Sequence, residues 1–186
     1  MGDDARQGVA QQPTLDASDE DGAAVDADAA TTCPCTIFGE RFAGNPSDEA
    51  DTTSTELGIR FRSDLSGKIL AIRYYRGPLN DGPHFGALWN ASGERIASVE
   101  FTNETGVGWQ TATFATPVAI QAHTNYVASY RAPKGGYASA TGFFGVPLHA
   151  PPLHADIGAG LYTYGNGVPD QVYQATNYWV DVVFSP

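Results

Sequence analysis

The sequence predicts an all-β fold: a two-sheet antiparallel β-sandwich, jelly-roll-like, with about nine strands. Three observations predict it. Short runs alternate apolar and polar residues, as half-buried strands do. Clusters of Gly, Pro, Asn and Asp separate those runs at short intervals. No segment longer than about ten residues carries a helical period.

The first run, "TELGIRFRS", sets Leu57, Ile59 and Phe61 on one face and Glu56, Arg60 and Arg62 on the other. The turn "DLSG" leads into "KILAIRYYR", where Leu70, Ile72 and Tyr74 oppose Ile69, Ala71, Arg73 and Tyr75. After "GPLNDGP", the run "HFGALWN" sets Phe85, Ala87 and Trp89 against Gly86 and Leu88. "ERIASVEF", "WQTATF" and "PVAIQ" follow as three further strands. In "NYVASYRA", Val127 opposes Tyr126, Ala128 and Tyr130. The Gly-, Ala- and Pro-rich stretch 132–176 reads as a long loop over the sandwich, with a weak strand at 159–164. "NYWVDVVF" closes the set, with Trp179 and Asp181 on the face opposite Tyr178, Val180, Val182 and Phe184.

Antiparallel strands reverse at each turn, so the loops sort into two ends. Loops 77–83 and 102–107 are expected at one end, and turns 63–67, 91–93 and 132–136 at the other.

The formal net charge is −11 over 186 residues. Residues 1–32 hold eight of the acidic side chains against Arg6, a net −7. Their large apolar residues are Val9, Leu15 and Val25, too few to offset ordering, so 1–32 reads as a disordered acidic linker and 33–186 as the sandwich module. This charge balance makes nucleic acid a poor partner. No apolar run reaches membrane-spanning length, and no apolar leader core heads the chain.

The segments "CPCTIFG", "ELGIRFRSDLSGKILAIRYYRG", "GALWNASGERIASVEFTNETGVGWQTATFATPVAI", "NYVASYRAPKGGYA" and "NYWVDVVFSP", in that order, resemble the family called domain of unknown function 4082. The resemblance runs from about Cys33 to Pro186. It implies a sandwich module of large secreted bacterial proteins, set among other domains. The family supplies no catalytic residues and no ligand. In that setting Cys33 and Cys35 are expected to close a local disulfide, with free thiols and metal ligation as the alternatives.

No nucleophile elbow, His-Glu-x-x-His helix or phosphate loop is present. The expected function is therefore non-catalytic. An accessory module binding carbohydrate or a surface polymer comes first, a spacer or adhesion domain second, and a glycan-active enzyme last. Tyr75, Trp89, Trp109, Tyr130 and Trp179 are the candidate sugar-stacking rings, and core packing is their competing reading. Asp181 sits in an apolar run and needs a partner. An ion pair with Arg60 or Arg73 is the first reading, and calcium between Glu56 and Asp181 the second. The rim bearing Asn80, Asp81, Asn103 and Glu104 is the alternative place for a structural calcium. His84 and His123 fit no zinc spacing. Neither do His149 and His154, which read as exposed histidines of a Pro-rich loop.

Overall fold

The computed structural model describes residues 33–39 and 47–186. The linker expected at 1–32 lies outside the described residues. Alternation becomes strands in chain order: β1 (Ser47–Asp48), β2 (Thr55–Ser63), β3 (Gly67–Arg76), β4 (Phe85–Trp89), β5 (Arg95–Glu100) and β6 (Gly108–Ile120). These are followed by β7 (Tyr126–Ala132), β8 (Ala138–Ser139), β9 (Leu148–Ala150), β10 (Leu153–Ala155), β11 (Gly160–Tyr164) and β12 (Val180–Ser185). One short 3-10 turn covers Phe143–Gly145.

Two antiparallel sheets carry the architecture, as expected of a sandwich. A seven-stranded sheet runs β5-β4-β7-β2-β10-β9, with β11 also paired to β2. A three-stranded sheet runs β12-β3-β6. A small β1–β8 ladder stands beside them.

The inner faces meet through Leu57, Ile59, Phe61, Leu88, Ala128 and Tyr130 from the larger sheet. Ile69, Ile72, Tyr74, Phe114, Val182 and Phe184 answer from the smaller. Tyr74 stacks on Tyr130 across the interior, ring centroids 4.0 Å apart and planes at 16°. Segment 33–39 joins the smaller sheet through an isolated bridge from Cys35 to Phe184, and Cys33 and Cys35 are disulfide-bonded.

Three expectations change. "WQTATF" and "PVAIQ" are one strand, β6, interrupted by a bulge. Ile69 pairs with Val118 and Ala71 with Thr113, so residues 114–117 face a single residue of β3. Pro117 lacks the N–H a ladder needs, and bulges are where sheets accept it. The same irregularity turns Ile69 into the core, against the alternation expected in β3. Counting one strand too many also reverses the direction of everything after it. Turn 132–136 therefore joins the 77–83 end, where Lys134 Nζ lies 3.9 Å from Asp81. Finally, stretch 132–176 carries β8, β9 and β10 besides the strand expected at 159–164, which is β11.

Candidate functional site

In β2 the alternation turns Glu56, Gly58 and Arg60 onto the outer face of the larger sheet. β7 adds Val127, Ser129 and Arg131, and β4 adds Phe85, Ala87 and Trp89. The segment after β11 folds back over this face. Gly58 makes room for it, since a Cβ there would stand 2.8 Å from Pro169 Cγ. Two hollows result. The first, about 350 Å³, is lined by Glu56, Phe85, Trp89, Arg95, Arg131 and Asn166 among others. The second, about 440 Å³, takes Arg60, Asn90, Asn125, Val127, Pro169 and Asp170. Trp89 and Asn90 are consecutive, as are Gly167 and Val168, so the hollows follow one another along the sheet.

Glu56 is the acid at the base of the first hollow, 6% exposed. The Ser129 hydroxyl donates to its Oε1 at 2.5 Å and accepts the Trp89 indole N–H at 2.8 Å. Burial pushes the Glu56 carboxyl up to about 7, while Ser129, Arg131 and Arg95 pull the other way. Arg131 donates from Nε and Nη2 to Ser54 Oγ at 3.2 and 3.1 Å, and from Nη1 to Asn166. Arg95 lies over the Trp89 ring, 5.8 Å from its centroid. The hollow thus offers a carboxyl that changes charge near neutral pH, fixed guanidinium groups and the 45%-exposed ring of Phe85. Such a set suits hydroxyl-bearing ligands.

Of the candidate stacking rings, Trp89 alone lines the first hollow. Tyr130 and Trp179 are buried in the core, and Trp89 is 8% exposed at the wall of the first hollow. Trp89 is held by Ser129, and Tyr130 by Tyr74. Trp179 precedes β12 with φ 55°, so its ring leaves the strand alternation and packs 5.5 Å from Phe38 and 5.4 Å from Phe143. Tyr75 and Trp109 are half-buried on the smaller sheet and meet edge to face at 89°, which is no flat platform. The sequence reading passed over the more exposed rings Phe85, Tyr164 and Tyr173.

Asp181 pairs with Arg73, Nη2 to Oδ2 3.4 Å. It also accepts the backbone N–H of Ile37 and Val182 at 2.8 Å each, and that of Phe38 at 3.4 Å. Burial raises its carboxyl to about 6 against Arg73 and these donors. Arg60 takes no part. It is exposed on the other sheet and lines the second hollow. Glu56 and Asp181 have separate partners on separate sheets.

Loops 77–83 and 102–107 do meet, and Asn80 and Glu104 turn inward. Asn80 Oδ1 lies 2.9 Å from His84 Nε2, and Asn80 Nδ2 donates to Tyr130 Oη at 3.0 Å. Glu104 accepts from the Tyr74 hydroxyl and lies 2.8 Å from His84 Nδ1. Burial pushes His84 down, against the pull of Glu104. Asp81 faces Arg76 and Lys134, and Asn103 is exposed. Among the described residues no group of three or more His, Cys, Asp or Glu side chains is placed to hold a metal ion. Asn80 and Glu104 belong to an interior Tyr-His-Glu-Asn network with Tyr74, His84 and Tyr130.

A family model described as "Domain of unknown function (DUF4082)" matches residues 42–180. It is the family that the motif order resembles. No curated protein matches the chain.

Proposed function

We propose that this chain, which belongs to the DUF4082 family, is a non-catalytic binding module whose outer sheet face holds an extended carbohydrate or surface polymer. One observation carries the reading: two hollows follow one another along one face, the first lined by Glu56, Arg95, Arg131 and Asn166 and the second by Arg60, Asn125 and Asp170. A row of hollows fits repeating rings better than one compact ligand. Carboxylate, amide and guanidinium groups match the alternating donors and acceptors of sugar hydroxyls. Glu56 is the single acid among the described residues lining the first hollow. Glycoside hydrolysis ordinarily uses two acids flanking one bond, and the other acid on this face, Asp170, lines the second hollow. A secreted setting, beside other domains of a larger bacterial protein, accompanies this reading.

The test is retention on insoluble polysaccharides and affinity electrophoresis on soluble glycans. Arg131→Ala and Asn166→Ala should lose retention while keeping the wild-type melting temperature. No retention by any polymer, or retention untouched by both variants, would sink the reading. Burial of Trp89 and Trp179 favours the second reading, a spacer or adhesion domain with no small ligand.

A further inference from the structure

We propose that His149 and His154 chelate one divalent late first-row transition ion, with copper(II) held most tightly, at the edge of the larger sheet. The site is separate from the outer-face hollows and does not rest on the polymer reading.

The geometry begins with a hairpin. β9 and β10 are joined by Pro151 and Pro152, and His154 pairs directly with His149 across the ladder. Cross-strand neighbours bring side chains together. Here the two Nδ1 atoms stand 2.9 Å apart. Two nitrogens bound at about 2.0–2.1 Å in adjacent positions of a tetragonal site stand roughly 2.9 Å apart.

The second element is Asp64. β10 also pairs with the end of β2, Leu153 opposite Ser63, and the Asp64 N–H donates to Pro152 O at 2.9 Å. That places Asp64 Oδ2 2.6 Å from His154 Nε2. A carboxylate at one ring nitrogen fixes the proton there, leaving His154 Nδ1 to accept from His149 Nδ1–H in the metal-free chain, and a metal ion takes the place of that proton between the two nitrogens. Carboxylate, imidazole and metal in that order form the usual outer support of a histidine site. Asp64 is the positioning residue.

His149 is exposed, so its proton can sit on Nε2 in water while Nδ1 binds, and solvent supplies the remaining ligands. Imidazole donors without carboxylate ligands select copper, nickel and zinc over calcium and magnesium.

Isothermal titration of the intact chain with copper(II), nickel(II), zinc(II) and calcium(II) tests this. One equivalent of copper should bind, with affinity above nickel and zinc and no heat from calcium. His149→Ala and His154→Ala should each lower copper affinity at least about tenfold, and electron paramagnetic resonance should drop from two coordinated nitrogens to one. Asp64→Asn should weaken copper by about tenfold while keeping the two-nitrogen spectrum and the metal-free melting temperature. His123→Ala, whose ring is 4.0 Å from Asp64, should bind as wild type. Unchanged binding in both His149→Ala and His154→Ala would overturn the proposal. So would calcium binding as tightly as copper, or no copper binding at all.

Discussion

Ser129 donates its hydroxyl to Glu56 at 2.5 Å while accepting the indole N–H of Trp89, and this chain fixes the one acid at the base of the outer-face hollow. Serine satisfies a single lone pair, and burial still dominates, so the carboxyl holds its proton up to about 7 against an ordinary 4.5. The native state therefore binds a proton between those values that the unfolded chain has released. Stability from this group is present at low pH and falls as pH rises through that window. Glu56→Gln should flatten that decline, matching wild type near about pH 5 and exceeding it near about pH 8 by up to roughly 3 kcal/mol. Thermal unfolding at the two pH values checks it. Parallel pH profiles would place the Glu56 proton elsewhere.

Asp181 is the anchor of the N-terminal segment. Its removal in Asp181→Ala takes the carboxylate from Arg73 and the acceptor from the N–H groups of Ile37 and Phe38. A cost of roughly 3–5 kcal/mol is expected by denaturant titration, with faster amide exchange at Ile37 and Phe38 than elsewhere. A chelator should leave wild-type unfolding unchanged. A neutral variant would mean that segment 33–39 contributes little.

The buried network should respond to loss of a single oxygen. Tyr130→Phe keeps the ring stacked on Tyr74 but deprives Asn80 Nδ2 of its acceptor. An unsatisfied buried donor costs about 1–3 kcal/mol. Urea unfolding of this variant should show that loss with an unchanged denaturant slope. Wild-type stability would mean that Asn80 finds another acceptor at no cost.

Sheet membership was legible because alternation reports which residues share a face. It does not report what covers that face. Trp89 has the phase of an outward residue, yet it is buried because a segment from beyond residue 160 closes over its sheet. Asp181 announced its need for a partner through its apolar neighbours, and Arg73 was one of two arginines in suitable phase. The choice between them depended on strand order: β3 is hydrogen-bonded to β12 and β2 is not. Glu56 was noticed as a carboxylate, but its hollow was not. Asn166 lies 110 positions away and belongs to no pattern with it. The His149–His154 contact was hidden for a related reason. Three-residue strands around two prolines show no alternation, so the hairpin pairing them left no periodic trace.

Gly58 offers a way to disturb the hollows without touching their polar groups. It lies mid-strand in β2, on the outer face, beneath the segment that follows β11. A Cβ at this position would meet Pro169 Cγ at 2.8 Å, Ala128 O at 2.9 Å and a Val127 methyl at 3.2 Å. The Ala128 oxygen is fixed in the ladder and cannot yield, so Pro169 and Val127 must move. Gly58→Ala should therefore lift segment 165–170 from the sheet at an overpacking cost of roughly 1–3 kcal/mol. Hydrogen exchange should rise in that segment and stay unchanged in β3 and β12. Polymer retention should weaken, because Asn166 walls the first hollow and Pro169 the second. Full retention in a variant with a demonstrably loosened segment would show that the segment is a cover and not part of the binding face.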